Sequence, residues 1–454
     1  MWQEHRKVDC MLMNTAQIKK ASADDNRTLN HKMKILLDIG QALMESGADC
    51  TRIIRDMRRA AAHLRIPSDQ LQSHVTYTTL MLNITDGERS LTQFRKCMKH
   101  GVNLAVIEAI SKLTWRILRD NTPINAIENA VTRIRHRPRS YPTWAAALGA
   151  AIASGASCSL FGGSLSEALI ATIAALAGFI AHRLSISNEF NPYACSMIAA
   201  FVSTIFAWFI PLILGFPTMW YALVSCTIFL IPGFPIVNST SDVINRFISS
   251  GMTRAIDTIL IIGGMTFGIA FAILFTGIEN ISDVQIRPTD AYLGQALAAA
   301  LAAGGFSIIF NTPKKLLALV ALEGILTMLI RNVLMNEFGL SQAIGSFAAA
   351  AVVGISALKV IHIVHTPNTL LIIPPIIPLV PGVLLYRLLF AILHIHTISA
   401  EELLQALRFG VDGMTIILAI VIGVSIPNIF IQSRIEMQQQ REINAIIVRR
   451  EAER

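Results

Sequence analysis

The sequence predicts a polytopic α-helical membrane protein of about ten transmembrane helices, arranged as two inverted five-helix repeats and preceded by a small cytosolic α/β domain. Three observations carry that reading. Of 454 residues, 53% are hydrophobic and only 15% charged, against about a quarter charged in ordinary soluble domains. Apolar runs of about 20 residues recur from Tyr141 onward, each long enough to cross a hydrocarbon core about 30 Å thick. Two of those runs are broken by the same dipeptide, in Phe229-Leu-Ile-Pro-Gly-Phe-Pro235 and in Pro378-Leu-Val-Pro-Gly382.

Proline removes a backbone donor and clashes with the preceding turn, and glycine eases non-helical angles. A broken helix persists in hydrocarbon only where it faces protein or a water-filled cavity. Paired breaks in corresponding halves therefore point to a transport site, although two ordinary kinks would read the same way. The spacing favours the first view. From Pro232 to Pro381 is 381 − 232 = 149 residues, and Phe161 and Phe310 end apolar runs 310 − 161 = 149 apart. Asn188-Glu-Phe190 and Asn336-Glu-Phe338 are offset by 336 − 188 = 148. Three anchors in one order at nearly one offset indicate an internal duplication.

In chain order, residues 1–31 are polar and read as a disordered leader without an apolar signal region. Residues 32–140 read as the α/β domain. Ile35, Leu36, Ile39 and Leu43 recur at helical spacing up to Gly47. A second helix follows, capped by Asp49 or Thr51 and closed by Pro67. Leu71–Thr79 and Thr79–Ile84 are strand-like, and Asp86-Gly87 forms a hairpin turn before Ser90–Phe94. Helices over Val102–Leu118 and after Thr122-Pro123 complete the domain.

Arg133, Arg135, Arg137 and Arg139 then crowd the first span, with Tyr141 and Trp144 as an interfacial belt. Ten spans are expected, at 142–161, 164–182, 192–213, 217–236, 253–277, 291–310, 313–333, 341–360, 367–391 and 409–432. They divide into repeats over 141–278 and 279–433, followed by a basic cytosolic tail, 434–454, with Arg441, Arg449, Arg450 and Arg454. The net charge of +8 lies largely on these flanks, as expected for cytoplasmic N- and C-termini and not for nucleic-acid binding. Five spans per repeat is an odd number, so the halves are expected to face opposite ways across the membrane.

The six cysteines show no CxxC or ligand spacing, and His63, His74, His100 and His136 no metal spacing. No nucleophile–base set, Walker loop or dinucleotide fingerprint is present. No metal, cofactor or enzymatic chemistry is expected.

Ionisable groups inside spans are functional candidates by default. Glu323 sits mid-span, as a proton or substrate group or as a neutral hydrogen-bonded acid. Asp257 and Asp412 (412 − 257 = 155) lie near the start of the last helix of each half, as pathway groups or helix caps. Arg331 closes the seventh span, to bind a carboxylate or to snorkel. Asn238 and Asp242 follow the first break, and Asn311 and Pro313 interrupt the chain between spans six and seven. With Pro232, Gly233, Pro381, Gly382 and Tyr386 they form the expected substrate and ion pathway.

The chain resembles the threonine/serine exporter family of bacterial inner-membrane carriers, which are related to paired-subunit dicarboxylate exporters. The resemblance covers about residues 32–433. Its cues are Leu43 to Asp49 leading to Arg52, Phe229 to Gly233 with Asn238, Asp242 and Gly251, then Phe310-Asn-Thr-Pro313, Gly324, Arg331, Ser346-Phe347, and Ile376 to Gly382 with Tyr386. Two departures stand out. Thr327-Met328 replaces a Gly-His pair common before the arginine, and Glu323 occupies a position matched to a small residue. The resemblance implies proton-driven efflux of threonine or serine across the bacterial cytoplasmic membrane, with both modules fused in one chain. A succinate-type dicarboxylate exporter is the alternative. A membrane sensor or hydrolase acting through the soluble domain is a third reading. Partners are then the small-molecule substrate, protons and lipid; association with a second copy is compatible with the sequence.

Overall fold

The computed structural model describes residues 28–452, apart from 87–88, 121, 278–290, 365–366, 368, 394 and 397. Side chains are described for these residues except at 86, 89, 361–364, 385–386, 389–390, 393 and 428–452. Most of the expected leader, residues 1–27, lies outside the described residues, as does Gly87 of the expected hairpin turn.

The N-terminal region is α/β. Helix α1 (28–45) precedes α2 (Cys50–His63), the strands β1 (Leu71–Val75), β2 (Thr79–Asp86) and β3 (Arg89–Lys96), then α3 (Leu104–Asp120) and α4 (Ile124–Arg135). The sheet is an antiparallel meander in the order β1-β2-β3, with Val75 opposite Leu80 and Thr79 opposite Lys96. Leu80, Leu82 and Ile84 alternate inward along β2 and meet Ile35, Leu36, Ile39 and Leu43 of α1 and Ile53 and Met57 of α2 in one core. A period of two on the strand thus faces a period of 3.6 on the helices. Asp49 caps α2, its carboxylate accepting from the Arg52 N–H at 2.8 Å. The cap of α4 differs from expectation. Pro123 occupies it, and Thr122 instead places its carbonyl 2.8 Å from His63 Nε2.

The remaining chain is helical: α5 (Thr143–Leu160), α6 (Leu165–Ser187), α7 (Pro192–Leu214), α8 (Trp220–Ser225), α9 (Gly233–Ile244), α10 (Ile248–Thr276), α11 (Tyr292–Ile309), α12 (Leu317–Asn336), α13 (Gln342–Val364), α14 (Thr369–Ile376), α15 (Gly382–Leu393) and α16 (Ala400–Ala452). Among the described residues eight helices are long and apolar enough to cross a membrane, and α8 with α9, bent by 58°, makes a ninth.

The expected count of ten is therefore corrected at 367–391, which forms two short pieces, α14 and α15, with a 3-10 turn at Ile377–Leu379 between them. Pro374, Pro375, Pro378 and Pro381 each remove a backbone donor there, so no single helix reaches span length. Boundaries also moved. Helices α10 and α16 begin at Ile248 and Ala400, before the expected 253 and 409, and α16 runs unbroken past the boundary expected at 433.

The 149-residue offset recurs in the elements. Helix α5 maps onto α11 at both ends (292 − 143 = 149, 309 − 160 = 149), and the 3-10 turn Ile228–Leu230 maps onto Ile377–Leu379 (377 − 228 = 149). Packing repeats with it: α6 on α7 as α12 on α13, α7 on α10 as α13 on α16, and α9 on α10 as α15 on α16. Equivalent helices α5 and α11 pack on each other and run antiparallel. Gly149 lies against Gly305, where an added Cβ on Gly305 would sit 2.5 Å from the Gly149 carbonyl. At the other end the Gln295 amide donates to the Ser159 carbonyl at 3.2 Å.

Candidate functional site

The two breaks share one local geometry. In each, a 3-10 turn leads to an extended residue, Ile231 or Val380, and a new helix starts at the glycine. The Gly233 N–H donates to the Ile231 carbonyl and the Gly382 N–H to the Val380 carbonyl, both at 2.8 Å. Pro232 and Pro381 sit just before these helix starts, where a missing N–H is harmless.

The breaks also touch. A Cβ on Gly233 would lie 2.6 Å from Ile377 Cδ1, and one on Gly382 would overlap the side chain of Ile231. Neither glycine has positive φ, so sterics between the breaks, and not a non-helical backbone angle, call for glycine here. Beside this contact is a small cavity lined by Thr204, Thr227, Ile231, Met265, Gly382 and Val383. Across the duplication the residue types differ. The positions equivalent to Thr227 and Met265 are Ile376 and Ile420 (376 − 227 = 149, 420 − 265 = 155), at 0% and 1% exposure. Hydroxyl-bearing lining is thus confined to one side.

Four expected pathway residues serve a different contact. The Asn238 amide donates to the Gly47 carbonyl at 2.7 Å, and Asp242 accepts from the Cys50 N–H at 2.9 Å, capping α2 from the membrane helices. Arg254 lies 3.4 Å from the second Asp242 oxygen and donates to the Ala48 carbonyl at 3.3 Å. Asp257 accepts from the hydroxyls of Tyr77 and Tyr193, each at 2.9 Å. Asn311 has φ of 56°; its amide donates to Asn103 Oδ1 at 2.7 Å, while the carbonyls of Phe310 and Asn311 accept from the first N–H groups of α3. Burial, and then the Asp257 carboxylate, raise the Tyr77 phenol above its ordinary 10.0. These residues fasten the N-terminal region to both repeats.

Asp257 stands in the third turn of α10 and Asp412 in the fourth of α16, so neither caps a helix start. They are nonetheless equivalent, since Gly268 packs on the Met197 carbonyl as Gly423 packs on that of Phe347 (423 − 268 = 155). Asp412 is exposed and, among the described residues, has no counterpart of the Tyr77 contact. Pro313 precedes a 3-10 turn, Lys314–Leu316, half-buried. Tyr386 stands on α15, but its side chain lies outside those described.

Glu323 and Arg331 are buried on α12, at 4% and 6% exposure. One Glu323 oxygen accepts from the Ser356 hydroxyl, and the other has no hydrogen-bond partner among the described residues. Arg331 donates from Nε and Nη2 to Asn332 Oδ1, each at 3.2 Å. Asn332 in turn donates to Gln295 Oε1 at 3.3 Å. Sequence reasoning missed Tyr77, Tyr193, Gln295, Asn332 and Ser356 as members of these contacts. Only Gln295 and Asn332, as polar residues within apolar runs, carried any local signal.

Comparison with known proteins bears on the whole chain. The threonine/serine exporter model matches residues 34–276, and a second model, "Threonine/Serine exporter, ThrE", matches residues 295–430. The chain is 22% identical to "Threonine/serine exporter" of Corynebacterium glutamicum over 81% of this chain and 76% of that protein. It is 22% identical to "Probable threonine/serine exporter" of Mycobacterium tuberculosis over 80% and 70%. It is 21% identical to "Probable succinate transporter subunit YjjP" of Escherichia coli over 54% of this chain and 95% of that protein. No solved structure matches the chain.

Proposed function

The chain belongs to the threonine/serine exporter family, and from that premise we propose that it is a secondary-active exporter of threonine or serine driven by the proton gradient. The observation that carries this is the meeting of two Pro-Gly breaks between halves whose first helices, α5 and α11, run antiparallel. Antiparallel equivalents fit an inverted-topology repeat, in which rocking one half against the other opens a midplane site alternately to each side. Counting α14–α15 as one broken span restores ten, with both termini on the cytoplasmic face of a bacterial inner membrane. The pathway passes the breaks and the threonine-lined cavity. Glu323 carries the proton, since it is a buried carboxyl inside a span with one oxygen unpartnered among the described residues, and ionisable groups there are functional candidates by default.

The succinate-type alternative rests on the Escherichia coli relative, which aligns over 54% of the chain. The relatives that align over both halves are described as threonine/serine exporters, which favours the amino acid. Energised inverted vesicles should accumulate labelled threonine or serine and lose that ability with a protonophore; succinate uptake alone would select the alternative. Glu323→Gln should retain threonine exchange while losing gradient-driven accumulation. Full accumulation by that variant would remove Glu323 from the coupling role.

A further inference from the structure

Four arginines are buried among the described residues: Arg52, Arg59, Arg254 and Arg331. Three meet a carboxylate, namely Asp49 at 3.5 Å, Asp56 at 2.9 Å and Asp242 at 3.4 Å. Arg331 meets none among the described residues; its two hydrogen bonds both go to the amide oxygen of Asn332. Burying a guanidinium in an apolar bundle without an anion is costly, and such groups are retained where a ligand supplies the missing charge. We propose that Arg331 binds the carboxylate of the transported substrate, held in position by Asn332, Gln295 and the Ser159 carbonyl. This deepens the exporter reading and rests on it.

The geometry favours a carboxylate in particular. Guanidinium carries five N–H donors in a planar fork. Asn332 occupies the Nε–Nη2 edge, and among the described residues nothing bonds to Nη1, so the Nη1–Nη2 end can make the parallel pair of bonds that a carboxylate accepts. The ring of supports fixes that orientation. Asn332 donates to Gln295 at 3.3 Å, and Gln295 donates to the Ser159 carbonyl at 3.2 Å. Gly345 on α13 makes room for the arginine stem, since a Cβ there would sit 3.2 Å from Arg331 Cγ.

The relay also crosses the seam between the repeats. Ser159 closes α5 in the first half, whereas Gln295 and Arg331 belong to α11 and α12 in the second. A carboxylate on Arg331 therefore sits on the helices that must shift if the halves rock. By the offset of the neighbouring Asn188 and Asn336 anchors the equivalent position is Arg183 (331 − 148 = 183), which is exposed, so the burial of the charge is particular to the second half. The shared chemistry is one carboxylate, as in an α-amino acid or a dicarboxylate.

The test uses the full-length purified protein in detergent and in proteoliposomes. Thermal stabilisation by L-threonine, succinate and L-threonine amide is measured first, because it needs no transport. Wild type should be stabilised by at least one acid and not by the amide. Arg331→Gln, melting normally on its own, should lose that acid-selective shift. Retention of the shift in that variant, or stabilisation of wild type by the amide as strongly as by the acids, overturns the proposal. Whether threonine or succinate gives the larger shift identifies the source of the carboxylate. Should Arg331→Gln fail to insert, Arg331→Lys keeps the charge without the planar fork; its KM should rise on the order of tenfold, and an unchanged KM overturns the proposal. Acid-selective stabilisation of a wild type that exports neither solute would refute the exporter reading and leave the carboxylate site standing.

Discussion

Replacing Gly382 by valine tests whether the contact between the two breaks matters to transport. The added Cβ would overlap Cδ1 of Ile231 and sit 3.1 Å from its Cγ1 and Cγ2, so the isoleucine must both turn its tip and give ground. Overpacking of this kind costs about 1–3 kcal/mol. Charged to the conformation in which the breaks touch, that shifts the balance between conformations by about 5–150-fold. Export should fall accordingly, while insertion and detergent-extracted yield stay near wild type, because the position begins a helix with negative φ that valine tolerates. The assay is labelled-threonine flux in proteoliposomes, normalised to inserted protein. Ile231→Ala added to Gly382→Val should restore flux by removing the overlapping atoms. Wild-type flux in Gly382→Val, or no rescue by Ile231→Ala, would refute the reasoning.

Asp242→Ala strands Arg254, 4% exposed, without its carboxylate, and should lower stability by about 3–5 kcal/mol, read as a lower melting temperature in detergent. Tyr77→Phe removes a hydroxyl bonded to Asp257 at 2.9 Å and should speed proteolysis of the N-terminal region with little change in the membrane helices. A bond to a charged acceptor contributes about 1.5–3 kcal/mol. Since the Tyr77 phenol is raised above 10.0 by burial and Asp257, its contribution is complete below pH 10 and declines as pH rises beyond it; wild-type proteolysis rates should therefore stay level from pH 7 to 9. Asn188→Cys and Asn336→Cys should label from opposite faces of the membrane, and labelling from one face would end the inverted-repeat reading.

The membrane class, the duplication and the α/β region were legible because each writes a local periodic signal. Apolar runs set by bilayer thickness, a shared 149-residue offset and strand alternation against helical spacing all survive without a partner in view. Span nine was misread for a related reason: the run is apolar from Leu370 to Leu385, and hydropathy does not weigh its prolines. The candidate site was legible by residue type but not by partner. Asn238, Asp242, Asp257 and Asn311 stood out as polar groups in apolar surroundings, which is equally the mark of a substrate site and of an internal docking surface.

Their partners decide between those meanings, and the partners lie far away in sequence. Asn238 meets Gly47 across 191 positions, Asp242 meets Cys50 across 192, Asp257 meets Tyr77 across 180 and Asn311 meets Asn103 across 208. Arg331 shows the converse. Its bonded neighbour is adjacent in sequence, yet its significance lies in the carboxylate it lacks, which only the full set of ion pairs reveals. Asn238, Asp257 and Asn311 already hold bonds that a substrate would have to break, and the second Asp242 oxygen, without a hydrogen bond among the described residues, faces Arg254 at 3.4 Å. Arg331 and the free oxygen of Glu323, both on α12, would lose nothing by accepting one. Polar satisfaction thus supports placing the proposed substrate and proton groups on α12 of the second repeat and not on α9, the helix after the first break.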